Sequence, residues 1–164
     1  MIDTLTLLAF LPAAVALNLT PGADMMFCLG QGVRGGAGAA VAASAGISLG
    51  VMVHVALAGL GLGAAVAALP WLFDAIRWAG IAYLLWLSVQ ALRHPPRAEG
   101  TPAVHPARAF GDGVIINLAN PKVILFVLAF LPQFIDPARG SVLAQFLILG
   151  LMIAAGGFAV NAAV

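Results

Sequence analysis

The chain has 164 residues, of which 63% are hydrophobic and 8% are charged, and its formal net charge is +1. Soluble domains carry about 25% charged residues, so this composition excludes an ordinary water-soluble enzyme, and the near-neutral charge excludes nucleic acid as a partner. The single cysteine cannot form an internal disulfide and no Cys/His cluster has metal-ligand spacing, so we expect no metal and no cofactor.

Stretches without Asp, Glu, Lys or Arg mark candidate membrane spans, because a charge at mid-bilayer costs at least about 2.5 kcal/mol. At about 20 residues per crossing, the chain is predicted to be an all-α, polytopic transmembrane helical bundle of about five spans. We place these spans at residues 4–33, 39–69, 71–92, 113–134 and 141–164.

The first span contains a polar interruption. Pro21 removes a backbone donor and clashes with the preceding turn, and Gly22 loosens the helix further. The helix is therefore expected to break near the middle of the span, and Asn18 and Thr20 lie beside the freed backbone groups. Asp24 follows the break; it could bind a proton or a substrate ammonium group, or lie ionised near the cytoplasmic headgroups.

The second span is rich in small residues and contains one histidine. Gly46 and Gly50 form a small-xxx-small pair, which lets helices approach closely either within one subunit or in a homo-oligomer. His54 lies near the middle of the span, and histidine is the residue type best suited to exchange protons near neutral pH. It could relay protons, or hydrogen-bond between helices as a neutral side chain.

Residues 93–112 contain four prolines and three arginines, a composition typical of an exposed linker. The linker divides the chain into a first repeat of three spans, residues 1–92, and a second repeat of two spans, residues 113–164. Because cytoplasmic loops collect Lys and Arg, the linker is predicted to be cytoplasmic. Asp112, at the mouth of the fourth span, could cap the helix or gate the entrance.

The fourth span repeats the interruption of the first. Asn117 and Asn120 precede Pro121, and Lys122 lies inside the apolar segment. The asparagines could satisfy freed backbone groups or contact a substrate directly. Lys122 could receive a substrate carboxylate or form a structural ion pair with Asp24, and both interpretations require the two breaks to lie close together.

The two broken helices occupy corresponding places in the two halves, and each is followed by an Arg-Gly pair, at residues 34–35 and 139–140. Three spans precede the linker, so the second half enters the membrane from the opposite side, which makes an inverted repeat (3+2). Paired interrupted helices in inverted halves indicate the substrate site of a secondary transporter. Their half-helix N-termini would present free amides to a substrate carboxylate. Two ordinary proline kinks are the alternative.

Segments 18–24, 79–87 and 110–122, the last ending in Asn120-Pro121-Lys122, resemble the LysE/RhtB family of small bacterial amino-acid exporters. The resemblance covers essentially the whole chain. It implies efflux of amino acids or related small zwitterions across the bacterial inner membrane, driven by protons, with the lipid bilayer as surroundings. Family members typically have a sixth hydrophobic segment, so the chain is expected to lack the last transmembrane helix.

The function predicted from the sequence is therefore a secondary transporter rather than an enzyme, since no nucleophile, paired-carboxylate or phosphate-binding motif is present. The alternative is a non-transporting membrane protein, either an assembly partner or an inactive truncated exporter. His54 and Asp112 are candidates for a proton relay or gate. The predicted substrate and ion site consists of Asn18, Thr20, Pro21, Gly22, Asp24, Asn117, Asn120, Pro121 and Lys122.

Overall fold

The computed structural model describes residues 2–68, Trp71 and residues 105–164, and the side chains of 62–68 lie outside the description. Every element in these ranges is helical, which confirms the all-α prediction. We number the α-helices in chain order: α1 Thr4–Leu19, α2 Ala23–Ala68, α3 Pro106–Leu118, α4 Pro121–Leu125 and α5 Val142–Ala163. Between α4 and α5 the chain forms a π-helical turn, Phe126–Phe130, and two 3-10 turns, Leu131–Phe134 and Pro137–Arg139.

Both predicted helix breaks are confirmed. α1 ends at Leu19 and α2 begins at Ala23, while α3 ends at Leu118 and α4 begins at Pro121. At the second break, α3 and the helical stretch Pro121–Phe134 meet at 51°. Each break includes or adjoins a proline, as expected when a backbone donor is lost and the ring collides with the preceding turn.

The long helix α2 consists of two segments joined at Gly36, where φ is 74° and ψ is −177°. A Cβ added to Gly32 would lie 3.4 Å from the Cβ of Ala40, although eight residues of straight helix span about 12 Å. The chain therefore folds back at Gly36, and Cys28 before the turn packs with Ala43 beyond it. A positive φ of this size favours glycine because it has no Cβ.

The helical segments coincide with four of the five predicted spans. By length and apolar composition, Val142–Ala163 can cross a membrane, as can Ala23–Gly61, a range that contains the turn at Gly36. The bent pair Pro106–Leu118 with Pro121–Phe134 makes a third if it counts as one span. Apart from Trp71, the predicted third span lies outside the described residues, as does the predicted linker up to residue 104.

The helix that contains the start of the fourth predicted span begins earlier than that span. α3 begins at Pro106, within the predicted linker of residues 93–112, rather than at residue 113. His105 caps this helix by accepting a hydrogen bond from the amide of Ala107, and a proline fits the first helical turn, where its missing N–H has no intrahelical partner. Asp112 therefore does not cap this helix, and that interpretation is wrong. Its carboxylate lies 3.6 Å from Arg108, one turn earlier on the same helix.

Close helix packing through glycine holds α2 against α3. A Cβ on Gly46 would lie 2.0 Å from the carbonyl oxygen of Phe110, and a Cβ on Gly113 would lie 2.5 Å from that of Ala43. Gly50 lies directly against Asn117. Gly46 and Gly50 therefore pack against another helix of the same chain, as in the first of the two interpretations given for this pair.

Helix α5 packs against α2 and α1 and completes the core. Ser44 donates a hydrogen bond to the carbonyl of Phe158 (3.0 Å), and Ser48 donates one to that of Ala154 (3.1 Å). These serines therefore tie α2 to α5 through the backbone. The largest buried cluster joins α1, α2, α5 and the segment after the second break, and its fully buried large side chains include Phe10, Leu131, Phe146, Leu149 and Ile153.

Candidate functional site

Lys122 brings the two helix breaks into contact. Its Nζ donates to the carbonyl oxygens of Leu17 (3.1 Å) and Thr20 (2.9 Å). Both carbonyls belong to the end of α1, where the last carbonyls have no partner within the helix. The hydroxyl of Thr20 donates to the carbonyl of Ala16 at 2.6 Å, which also accepts the Thr20 amide at 3.0 Å. A lysine beside the second break therefore supplies the hydrogen-bond donor for carbonyls at the first break.

Asp24 is buried in the first turn of α2, where a carboxylate is favoured by the positive end of the helix dipole. Its Oδ2 accepts a hydrogen bond of 2.9 Å from Nδ2 of Asn117, and its Oδ1 has no hydrogen-bond partner among the described residues. In the part of the chain that the structure describes, no ion pair joins Asp24 to Lys122. The structural ion pair considered from the sequence is wrong, because the lysine reaches the end of α1 instead.

Asn117 connects Asp24 to His54. This asparagine is fully buried at the end of α3, and its carbonyl oxygen lies 3.2 Å from Nε2 of His54. Because a carbonyl only accepts, Nε2 must carry the proton in this hydrogen bond. The histidine therefore makes the hydrogen bond between helices that was the alternative to a proton relay, and the relay stays a prediction.

Of the other two predicted asparagines, Asn120 satisfies a backbone group at its break, whereas Asn18 bonds to a carbonyl of α5. Oδ1 of Asn120 accepts from the amide of Lys122 (3.0 Å) and so caps α4. Nδ2 of Asn18 donates to the carbonyl of Ile153 (3.2 Å). The Asn18 amide fits against Gly156, where a Cβ would lie only 2.6 Å from its nitrogen. Asn18 therefore fastens the end of α1 to α5.

A cavity of about 20 Å³ lies between the breaks and α5. This is room for about one water molecule, so the helices are closed around the polar groups. Of the predicted site residues, Asn18, Thr20, Asp24 and Lys122 line it. The remaining lining residues are Leu17, Met25, Ile47, Ser48, Val51, Val123, Ile153, Ala154, Gly157 and Asn161.

Two polar residues that line the cavity, Ser48 and Asn161, were not predicted from the sequence. Asn161 is buried in the apolar helix α5, and a polar side chain at that depth was the signal that could have found it. Ser48 gave no such signal, because serine is common in tightly packed membrane helices. Neither His54 nor Asp112 lines the cavity.

The protein-family model described as LysE type translocator matches residues 15–164, a stretch that includes both breaks. The chain belongs to the LysE type translocator family. The resemblance recognised from the motifs is thereby confirmed, and the translocator is a membrane protein.

Curated relatives match this translocator over different shares of their length. An uncharacterised membrane protein of Vibrio cholerae is 38% identical over 88% of this chain and 71% of its own. A homoserine/homoserine lactone efflux protein of Salmonella typhi is 42% identical over 48% of this chain and 39% of its own. A leucine efflux protein of Salmonella choleraesuis is 30% identical over 85% of this chain and 68% of its own. No solved structure matches the translocator significantly.

Proposed function

We propose that this translocator exports an amino acid or a related small zwitterion from the bacterial cytoplasm across the inner membrane, with the substrate bound where the two helix breaks meet. The observation that carries the proposal is that Asp24 and Lys122 line the same cavity. An amino acid carries an ammonium and a carboxylate group on the same carbon, so its site needs opposite charges close together. Charges inside a membrane segment are costly and are retained where they are used.

The names of two relatives support the same class of substrate. One is a homoserine/homoserine lactone efflux protein and the other a leucine efflux protein. Apolar side chains of Ile47, Val51 and Ile153 complete the lining next to the charged groups. We therefore propose that the charged groups hold the backbone part of the amino acid, and that the apolar wall contacts its side chain.

Transport by alternating access requires the breaks to act as hinges. The cavity of about 20 Å³ is too small for an amino acid, so the helices around it must separate for the substrate to enter and leave. Residues 20–22 and 119–120, which lie between the helices, can absorb such a rotation because hinges are short stretches of loop or helix end. We propose that the linker 93–112 lies on the cytoplasmic side during this cycle.

Proton coupling is proposed through Asp24. When the substrate ammonium leaves toward the outside, the Asp24 carboxylate takes up one external proton. When the next substrate binds from the cytoplasm, that proton is released inside. His54 bonds to the Asn117 carbonyl while the Asn117 side chain bonds to Asp24, so these two residues form the polar path to the carboxylate. Each amino acid exported thus returns one proton.

Proteoliposomes loaded with labelled leucine or homoserine test the proposal. With an inward proton gradient, the wild-type protein is expected to release the label, and Asp24→Asn or Lys122→Ala to release little. Asp136→Asn is the matched carboxylate control, because this residue pairs with Arg139 in the turn before α5. Equal efflux by Asp24→Asn and Lys122→Ala would reject the site. A wild-type protein that releases no amino acid would favour the non-transporting alternative.

A further inference from the structure

We infer that the end of α1 is a binding site for a primary ammonium group, that the side chain of Lys122 occupies it in the closed conformation, and that the substrate's ammonium group replaces Lys122 there. The replacement step rests on the proposed function. The ammonium site itself does not, because it is formed by contacts within the chain. The two parts can therefore fail separately.

The contacts describe a site of defined chemistry. Two carbonyl oxygens, from Leu17 and Thr20, accept hydrogen bonds from one Nζ at 3.1 and 2.9 Å. These carbonyls lie at the C-terminal end of a helix, where the dipole favours a cation. Asp24 lines the same cavity, and its Oδ1 has no partner among the described residues. Two carbonyl acceptors on one Nζ suit an ammonium group, which has three N–H donors. Asp24 contributes a charged group to the cavity rather than a third hydrogen bond, because no ion pair joins it to Nζ.

Gly22 makes the space for this ammonium group. A Cβ at this position would lie 3.2 Å from Nζ and 3.5 Å from Cε of Lys122. The backbone of Gly22 is not in the left-handed region, which among the described residues is adopted by Gly36 and Gly140. The absence of a side chain at position 22 is therefore explained by the close approach of the lysine rather than by backbone conformation.

An exchange between two ammonium groups keeps the carbonyls of Leu17 and Thr20 paired. Before the exchange, Lys122 donates to the carbonyls at the end of α1, which would otherwise lose this donor. When the ammonium group of an amino acid takes this place, the flexible lysine stem can carry Nζ to the substrate carboxylate. A compound with a carboxylate but no ammonium group could not make the exchange.

Chemical rescue tests the site without transport. The melting temperature of purified Lys122→Ala in detergent is measured with ethylammonium, and with tetramethylammonium as a cation of equal charge that has no N–H donor. We expect ethylammonium to raise the melting temperature of Lys122→Ala by at least about 2 °C, with no such rise for wild type or for tetramethylammonium. A rise that is equal in wild type, or absent in Lys122→Ala, would overturn the inference.

Glycine variants provide a second test of the ammonium site. Gly22→Ala in the Lys122→Ala background is expected to raise the half-maximal ethylammonium concentration several-fold, whereas Gly30→Ala is not, since a Cβ on Gly30 meets nothing within 4 Å. If Lys122→Ala does not fold, Gly22→Ala alone is compared with Gly30→Ala. We then expect the lower melting temperature for Gly22→Ala, and equal values would overturn the inference.

The outcomes separate the two proposals. Ethylammonium rescue together with no export of any amino acid by wild type would retain the ammonium site and reject the proposed function. Export by wild type without rescue of Lys122→Ala would retain the function and reject the site at the end of α1.

Discussion

Nδ2 of Asn117 donates a hydrogen bond of 2.9 Å to Oδ2 of Asp24, and this contact joins the end of α3 to the start of α2. The two residues are 93 positions apart in the sequence, and each adjoins one of the helix breaks. Since the Asn117 carbonyl also accepts from His54, one asparagine connects both breaks with the second segment of α2. The polar centre of the translocator is therefore a network rather than two separate kinks.

Asn117→Ala is expected to lower the free energy of unfolding by about 1–3 kcal/mol, because the Asp24 carboxylate loses its donor while it stays buried. Chemical denaturation in detergent measures this loss. Ile115→Ala on the same helix is the control, since Ile115 is 66% exposed. Equal stability of the two variants would contradict the importance of the Asn117–Asp24 contact.

Gly46→Ala is expected to destabilise the protein by about 1–3 kcal/mol, a typical cost of overpacking a well-packed interface. The added Cβ would lie 2.0 Å from the carbonyl oxygen of Phe110 and would push α3 away from α2. Gly38→Ala, on the same helix, has nothing within 4 Å of its Cβ and is expected to be neutral or slightly stabilising. Melting temperatures compare the two, and a Gly38→Ala variant that is the less stable would refute the packing argument.

Gly156→Ala is expected to weaken the attachment of α1 to α5. Its Cβ would lie 2.6 Å from Nδ2 of Asn18, which now donates to the carbonyl of Ile153. Such interhelical hydrogen bonds contribute on average about 0.6 kcal/mol. A double-mutant cycle with Asn18→Ala checks the cause, because truncation of Asn18 removes the clash. The double variant should lose less stability than the sum of the single variants, and strict additivity would show that the two sites are independent.

Cys28 provides a reporter that needs no engineering, because it is the single cysteine of the chain and is fully buried. We expect a maleimide to label Cys28 of the wild-type protein many-fold more slowly than the new thiol of the double variant Cys28→Ala with Val33→Cys. The reason is that Val33 is 78% exposed. Labelling rates followed by mass spectrometry measure the ratio. Complete denaturation should make the two rates equal, and equal rates in the folded protein would mean that the two segments of α2 do not enclose Cys28.

Much of the candidate site could be predicted because its cause is local. Proline at positions 21 and 121 removes a donor within one turn, and the polar residues around each break are visible in the sequence. The start of α3 at Pro106 was missed because two local signals conflicted. The density of prolines and arginines indicated a linker, whereas Pro106 fits the first turn of a helix. In the structure His105 caps the helix, so the second signal was the correct one.

The amino-acid sequence by itself determined that the chain is apolar, helical, twice interrupted and a member of its family, because composition, backbone donors and motifs act over a few residues. Only the tertiary structure decided which groups meet. Lys122 bonds to the end of α1 rather than to Asp24, and Gly46 packs against α3 rather than against a second copy. The partner of a long, flexible side chain or of a bare helix face depends on how segments far apart in the sequence are placed in space.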